Sequence, residues 1–248
     1  MKALVLCAGY GTRLGDLTKT RPKVMLPISG EPLLAYTLRY LAYFGFDQVA
    51  INLHFMPDLI VNRFGDGAEF GIEIHYSYEE TLLGTAGAVK RLERYFSDEE
   101  DFLVMYGDLL VDQDLSALLA FHHEKNASAT LLLHRRVGSN SMVHMDGANR
   151  IVHFLERPAE GERRPASHDV WVNSGLQVLN RRMLNAIPPD QSSDLPRDVY
   201  TTVLGAKPIY GFPLSGYRCA IDSPQRYAEA QEAVATGQYR YASVTRSS

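Results

Sequence analysis

Between Ala3 and Lys23 an apolar run, Ala3-Leu-Val-Leu-Cys7, opens into Ala8-Gly9-Tyr10-Gly11-Thr12-Arg13-Leu14 and then Arg21-Pro22-Lys23. A strand ending in such a turn can press backbone N–H groups against a polyphosphate while Arg13 and Lys23 neutralise its charge. Glycine suits positions 9 and 11 because a Cβ would block close approach or forbid positive φ. Two carboxylates extend the set. Phe102-Leu-Val-Met-Tyr-Gly-Asp108 is an apolar strand with Asp108 at its carboxyl tip, and Tyr217-Arg-Cys-Ala-Ile-Asp222-Ser-Pro224 places Asp222 just ahead of a helix. A rigid strand end can hold Asp108 in the geometry a small octahedral cation demands. Each feature has a plain alternative: a tight strand-to-helix turn, a turn aspartate, a helix cap. Two familiar phosphate motifs are excluded. The dinucleotide fingerprint needs glycine where Leu14 stands, and Gly11-Thr12-Arg13 is not the Gly-Lys-Ser/Thr of the common ATPases.

Strand-like and helix-like periods alternate around these residues, which predicts parallel βαβ units in an open, doubly wound α/β sheet. Strands are predicted at 3–7, 48–52, 72–76, 102–106 and 129–134. Helices are predicted at 32–44, 57–64, 85–95 and 115–123, with Pro32 in a first turn where its missing N–H costs nothing. After residue 135 the texture shortens to 142–145, 150–155 and 170–179, an antiparallel lobe with a hairpin turn at Asp146-Gly147. A strand over 217–221 leads into a helix from Ser223-Pro224 to about Thr236. Ligands of such sheets bind outside the carboxyl ends of the strands.

Size and charge narrow the functions. The 248 residues, 46% hydrophobic and 22% charged, suffice for one large α/β domain. The expected division is a nucleotide-binding half over 1–135, a second half over 136–222, the helix at 223–236, and a flexible tail at 237–248. A formal charge of −4 gives no basic footprint for nucleic acid. No apolar run approaches a membrane span, and the opening is too short for a signal peptide, so a cytoplasmic protein without nucleic-acid or membrane partners is expected. Cys7 and Cys219 make neither a disulfide framework nor metal spacing and read as buried reduced thiols.

The string Leu6-Cys-Ala-Gly-Tyr-Gly-Thr-Arg-Leu14 with Pro22-Lys23 resembles the signature of the sugar-phosphate nucleotidylyltransferases, a strand followed by A-G-G-x-G-T-R-L and a later P-K. It departs at Cys7 and Tyr10. The resemblance implies a Rossmann-like, GT-A-like fold in a short form without C-terminal hexapeptide repeats. It implies attack by a sugar 1-phosphate oxygen on the α-phosphorus of a nucleoside triphosphate, giving a nucleotide-sugar and pyrophosphate. The attacker is already an anion, so catalysis is alignment plus charge neutralisation. Arg13 and Lys23 become the catalytic cations, while Leu6, Ala8, Gly9, Gly11 and Thr12 line the nucleotide. Gly107-Asp108 matches the family's metal-binding dipeptide and Asp222 its second ligand, so Mg²⁺ is the implied cofactor, with Asp108 also facing the sugar phosphate.

Glu79-Glu-Thr-Leu-Leu-Gly84-Thr85-Ala-Gly87 resembles the segment that reads base and ribose. Glu79, where thymidylyl-transferring relatives tend to have glutamine, offers only acceptors and suits the N1–H and N2–H₂ donors of guanine, which favours GTP. A solvated acidic pair explains Glu79 and Glu80 as well. Gly84 admits the sugar ring, and Thr85 starts a helix whose positive end faces the nucleotide. Phe154-Leu-Glu156-Arg157-Pro158 resembles F-x-E-K-P, with Glu156 on sugar hydroxyls and Arg157 replacing the lysine that grips the sugar phosphate. Val172-Asn173-Ser-Gly-Leu176 places Asn173 on the same ligand. The expected acceptor is a hexose, heptose or cyclitol 1-phosphate; the departures at Arg157 and at Asn140-Ser-Met142 point to an uncommon one, such as a heptose or a cyclitol, rather than glucose or mannose 1-phosphate, and a homodimer is the expected assembly. Alternatives are a cytidylyl- or uridylyltransferase acting on another phosphate or phosphonate, a nucleotide-sugar-binding regulator without turnover, and a glycosyltransferase using Asp112-Gln113-Asp114, which otherwise reads as a helix N-terminus.

Overall fold

The computed structural model describes residues 1–139, 141–156 and 169–242. In chain order its elements are β1 (Lys2–Leu6), β2 (Pro27–Ile28), β3 (Glu31–Pro32), α1 (Leu33–Tyr43), β4 (Gln48–Leu53), α2 (Pro57–Phe64), β5 (Glu73–Tyr78), α3 (Gly84–Arg91), β6 (Asp101–Tyr106) and β7 (Leu109–Val111). They continue with α4 (Leu115–Glu124), β8 (Ala129–Val137), β9 (Met142–Met145), β10 (Ile151–Leu155) and β11 (Asp169–Asn180). Last come α5 (Thr201–Val203), β12 (Ile209–Pro213), β13 (Arg218–Ala220) and α6 (Pro224–Ala235). The chain folds into two compact units interleaved along the sequence. One comprises Met1–Leu82, Val104–Asp114 and Ser215–Ser248; the other comprises Leu83–Leu103 and Leu115–Leu214.

The fold is mixed α/β, as predicted. In the first unit the strands run β6-β1-β4-β5. β4 pairs in parallel with β1, Lys2 opposite Gln48 through Leu6 opposite Asn52, and with β5, Gln48 opposite Glu73 through Leu53 opposite Tyr78. Ala3, Leu4 and Val5 on β1 and Val49, Ala50 and Ile51 on β4 are fully buried. Runs this apolar, without alternation, are what a parallel sheet covered on both faces requires. Outside that sheet β7 and β13 form a separate antiparallel ribbon of three residue pairs. Pro32 caps α1 rather than sitting in its first turn.

The second unit holds the antiparallel lobe. β11 pairs with β8 and with β9, β9 pairs with β10, and β12 lies parallel to β8. The β9–β10 hairpin forms where expected, and the Asp146 carboxylate accepts hydrogen bonds from the amides of Ala148 and Arg150, closing the turn. Among the described residues no helix is long and apolar enough to cross a membrane. Cys7 and Cys219 are buried free thiols, each pushed up in pKa by that burial.

A polar knot forms within this second unit at Asp101, the first residue of β6. The Asp101 carboxylate lies 3.2 Å from His122 Nε2 and from His123 Nε2, and accepts from Asn180 Nδ2 at 2.8 Å; His122 Nδ1 is 2.9 Å from Thr130 Oγ1. Burial works to raise the Asp101 pKa, but these donors prevail and hold it below the usual carboxylate range. The stabilisation is therefore complete above that range and is lost as pH falls through the depressed value. Asp101→Asn is expected to cost about 1–3 kcal/mol near neutrality. The deficit should narrow in acid, which denaturant titrations at pH 7 and pH 3 would measure.

Candidate active site

The loop after β1 is shaped by Gly11, whose φ of +69° is the left-handed region. A side chain there would also press on Thr18 and Lys23. Thr18 Oγ1 donates to Gly11 O at 3.0 Å and lies 3.3 Å from Gly15 O, and Leu14 N donates to Gly11 O, so the turn is fixed from within. Gly9 differs: nothing of the chain lies within 4 Å of where its Cβ would stand. The open space beside it is available to a ligand. Ala8 is buried, Leu6 half-buried, and Gly9, Thr12 and Arg13 are exposed along the loop.

The two expected catalytic cations and the two expected metal-binding carboxylates all lie in this first unit, in two pairs. Lys23 Nζ donates to Asp108 Oδ2 at 2.8 Å, and Arg13 Nη1 lies 4.0 Å from Asp222 Oδ2. Asp108 immediately precedes β7 and Asp222 follows β13 by one residue. Because the ribbon is antiparallel, with Ala220 opposite Leu109, its ends bring the two together; Ile221 N donates to the Asp108 carbonyl at 2.9 Å. Lys23 and Asp108 are sheltered, with side chains 18% and 25% exposed, whereas Arg13 is 65% exposed and free to move onto a ligand.

Gly107 sets where Asp108 sits. Its amide donates to Leu6 O at 2.9 Å, and a Cβ would approach Leu6 O and Cys7 Sγ to 2.8 Å and Val24 to 2.9 Å, all closer than real Cβ contacts. In sequence the Gly-Asp dipeptide reads as a metal site from its place at a strand end and from the family resemblance. The glycine is required because the end of β6 presses against the end of β1, a contact with no local sequence signal.

At the far end of β4 the residues reading as base-recognising form a directed chain. Glu79 is 5% exposed, which removes the solvated-loop alternative, while Glu80 is exposed. Asn52 Oδ1 accepts from Cys7 N at 2.7 Å, which fixes the amide so that Asn52 Nδ2 donates to Glu79 Oε1 at 2.8 Å. Glu79 O lies 2.8 Å from His54 Nδ1 and can only accept, so Nδ1 carries the proton; His54 Nε2 then accepts from Tyr10 OH at 2.7 Å. Asn52 and His54 escaped sequence analysis because they lie at the end of β4 and just beyond it, with no motif around them.

The second unit holds the remaining predicted residues. Gly84 has φ +72° and faces the backbone of Ser193, which a Cβ would strike. The amides of Ala86 and Gly87 donate to Ser193 O, and Thr85 Oγ1 accepts from Leu195 N at 2.7 Å. The first turn of α3 is therefore already engaged at these amides by its own chain. Asn173 lies where the β11–β8 register shifts, and its Oδ1 accepts from Gly175 N at 3.1 Å, a bulge that re-aims the side chains around it. Glu156 is half-buried just after β10, and Arg157 lies outside the described residues, as does Asn140.

Comparison with known proteins shows the family. The model of the nucleotidyl transferase family matches residues 2–237, and the chain belongs to that family. Within it the chain sits among sugar-phosphate nucleotidylyltransferases. It is 34% identical over 81% of its length to a UTP–glucose-1-phosphate uridylyltransferase of Synechocystis, and 32% identical over 95% to a mannose-1-phosphate guanylyltransferase of Mycobacterium tuberculosis. It spans 54% and 65% of the lengths of those two proteins. HddC from Yersinia pseudotuberculosis, solved complexed with GMP-PN, shares the fold at a TM-score of 0.78 and 21% identity, covering 93% of this chain and 98% of HddC.

Proposed function

We propose that the protein transfers a nucleotidyl group from a nucleoside triphosphate, GTP by preference, to a hexose, heptose or cyclitol 1-phosphate, releasing pyrophosphate. The observation that carries this reading is the convergence in one unit of two cations on two carboxylates, Lys23 on Asp108 and Arg13 beside Asp222. Among the described residues no group of three or more His, Cys, Asp or Glu side chains is arranged to hold a metal by itself. Two carboxylates are nonetheless what Mg²⁺ takes from protein when substrate phosphates and water complete its octahedron, so Asp108 and Asp222 fit it. When bound, Mg²⁺ would neutralise phosphate oxygens at the α-phosphorus. Lys23, whose Nζ lies on Asp108 Oδ2 in the structure, would hold the α-phosphate. Arg13 draws charge toward the leaving pyrophosphate, and the turn at Gly9-Tyr-Gly11 supplies backbone donors.

Base preference follows from the polarity chain. Asn52 is pinned by Cys7 N, so position 79 must turn an oxygen toward Asn52 Nδ2. The other terminal atom is then an acceptor in glutamate and a donor in glutamine. Glu79→Gln is expected to lower the preference for GTP over UTP by about 10- to 100-fold in kcat/KM, the scale of one mispaired buried hydrogen bond. Pyrophosphate release with GTP, UTP, CTP and dTTP measures it, and an unchanged ratio would contradict the assignment. A UTP-using enzyme is the second reading, favoured by the identity to the Synechocystis uridylyltransferase; wild-type turnover with UTP but not GTP would establish it. By resemblance, Glu156, Arg157 and Asn173 would take the sugar phosphate. The protein would work with soluble substrates in the cytoplasm as a homodimer, which sedimentation would test.

A further inference from the structure

The ribbon carrying Asp108 and Asp222 has only three residue pairs, Leu109 with Ala220, Leu110 with Cys219 and Val111 with Arg218. A two-stranded ribbon this short is marginal by itself. A slip of one residue would move Asp222 along Asp108 by about 3.3 Å and turn the side chains to the opposite face. Something must therefore fix its register. One end is tied by Ile221 N to the Asp108 carbonyl. The other end closes on Asp112, the first aspartate of Asp112-Gln113-Asp114, which is not part of α4.

The Asp112 carboxylate is 2% exposed and fully employed. Its Oδ1 accepts from the amide of Tyr217, while Asp112 N donates to Tyr217 O at 3.0 Å, so Asp112 and Tyr217 are bonded reciprocally like one further ribbon pair. Arg240 Nε donates to Asp112 Oδ2 at 3.0 Å and Arg240 Nη2 to the Asp112 carbonyl at 2.7 Å. Gln113 Oε1 accepts from Ser215 N at 2.9 Å, extending the same seam. Gly216 has to be glycine, since a Cβ would collide with Asp112 Oδ1. Tyr239, adjacent to Arg240, is 1% exposed in the core cluster with Leu110, Cys219 and Ile221. A segment 128 residues distant in sequence from Asp112 thus locks the ribbon from behind.

We infer that Arg240 and Asp112 form a positioning clamp that sets the register of the β7–β13 ribbon and thereby the separation of the two cation-binding carboxylates, Asp108 and Asp222. The inference rests on the nucleotidyltransferase reading of those carboxylates. Arg240 touches no reacting atom; it acts through Asp112 and the ribbon. Its own side chain is 58% exposed, so Arg240→Ala opens no cavity in the core, although it takes the cation from the buried Asp112 carboxylate.

The test is Mn²⁺ binding, followed by electron paramagnetic resonance, to intact protein holding a non-hydrolysable GTP or UTP analogue, for wild type, Arg240→Ala and Arg240→Lys. Amide hydrogen exchange of Tyr217 and Ile221 is measured in the same samples. Arg240→Ala is expected to weaken Mn²⁺ binding about 10-fold, the usual scale for groups that orient metal ligands. Exchange at both amides should quicken, and Arg240→Lys, which keeps the charge but not the fork, should recover part of each. Unchanged Mn²⁺ affinity in Arg240→Ala, whatever the exchange rates do, would overturn the clamp's role while leaving the function standing. Wild-type protein that binds no Mn²⁺ with either nucleotide would overturn the functional reading, and the clamp's role with it.

Discussion

Asp108→Asn is expected to lower turnover by at least about 10³-fold while leaving the melting temperature nearly unchanged. Asparagine matches aspartate in shape, and the backbone carbonyl of residue 108 still accepts from Ile221 N, so the ribbon holds. The charge is lost at the point where Lys23 and, in the proposed reaction, the metal both need it. Pyrophosphate release set against thermal melting separates the two effects. A loss under about tenfold with the fold intact would show that the carboxylate is only a turn aspartate, the plain alternative that sequence left open.

Lys23→Met carries the second largest effect, about 10²- to 10³-fold in kcat. The stem of Lys23 lies against the α-carbon side of Gly11, which methionine can fill, so the loop keeps its shape. What disappears is a cation held 2.8 Å from Asp108, the one that holds the α-phosphate in the proposed reaction. Because negative charge accumulates in the transition state, kcat should fall more than KM rises. The two replacements address one electrostatic unit, so Lys23→Met combined with Asp108→Asn should cost far less than the product of the single losses. Steady-state kinetics of all three variants check this, and simple multiplication of the losses would indicate independent roles.

Much of this was legible in sequence because it is local. Helix α2 starts and ends where Pro57 and the apolar spacing put it, and β9 spans the residues predicted. Lys23, Arg13, Asp108 and Asp222 are legible as candidates because each sits beside a strand end or turn with its own motif. Short elements are not legible: β7 is three residues long, and β12 carries a glycine and a proline, so neither shows enough period to be predicted. Helix α3 ends at Arg91 rather than 95, where Leu92 N turns back to Val89 O in a tighter turn. Nothing local marks the interleaving of the two units, because it is made by contacts such as that of Arg240 with Asp112. For the same reason Tyr239, within the segment read as a tail, gave no hint of its burial. Asn52 and His54 show the same limit: their hydrogen bonds to Glu79 exist only once β4 lies between β1 and β5.

The most direct test of the account follows the phosphorus atoms. GTP labelled at its α-phosphate, incubated with the protein, Mg²⁺ and a mixture of sugar 1-phosphates, should pass its label into a nucleotide-sugar with one pyrophosphate released per transfer, and chelation of the metal should stop it. UTP would replace GTP in a parallel tube, so that base choice and chemistry are read separately. Label appearing only in nucleoside di- or monophosphate, or transfer that persists without divalent metal, would contradict a site built from two carboxylates and two cations to join one phosphate to another.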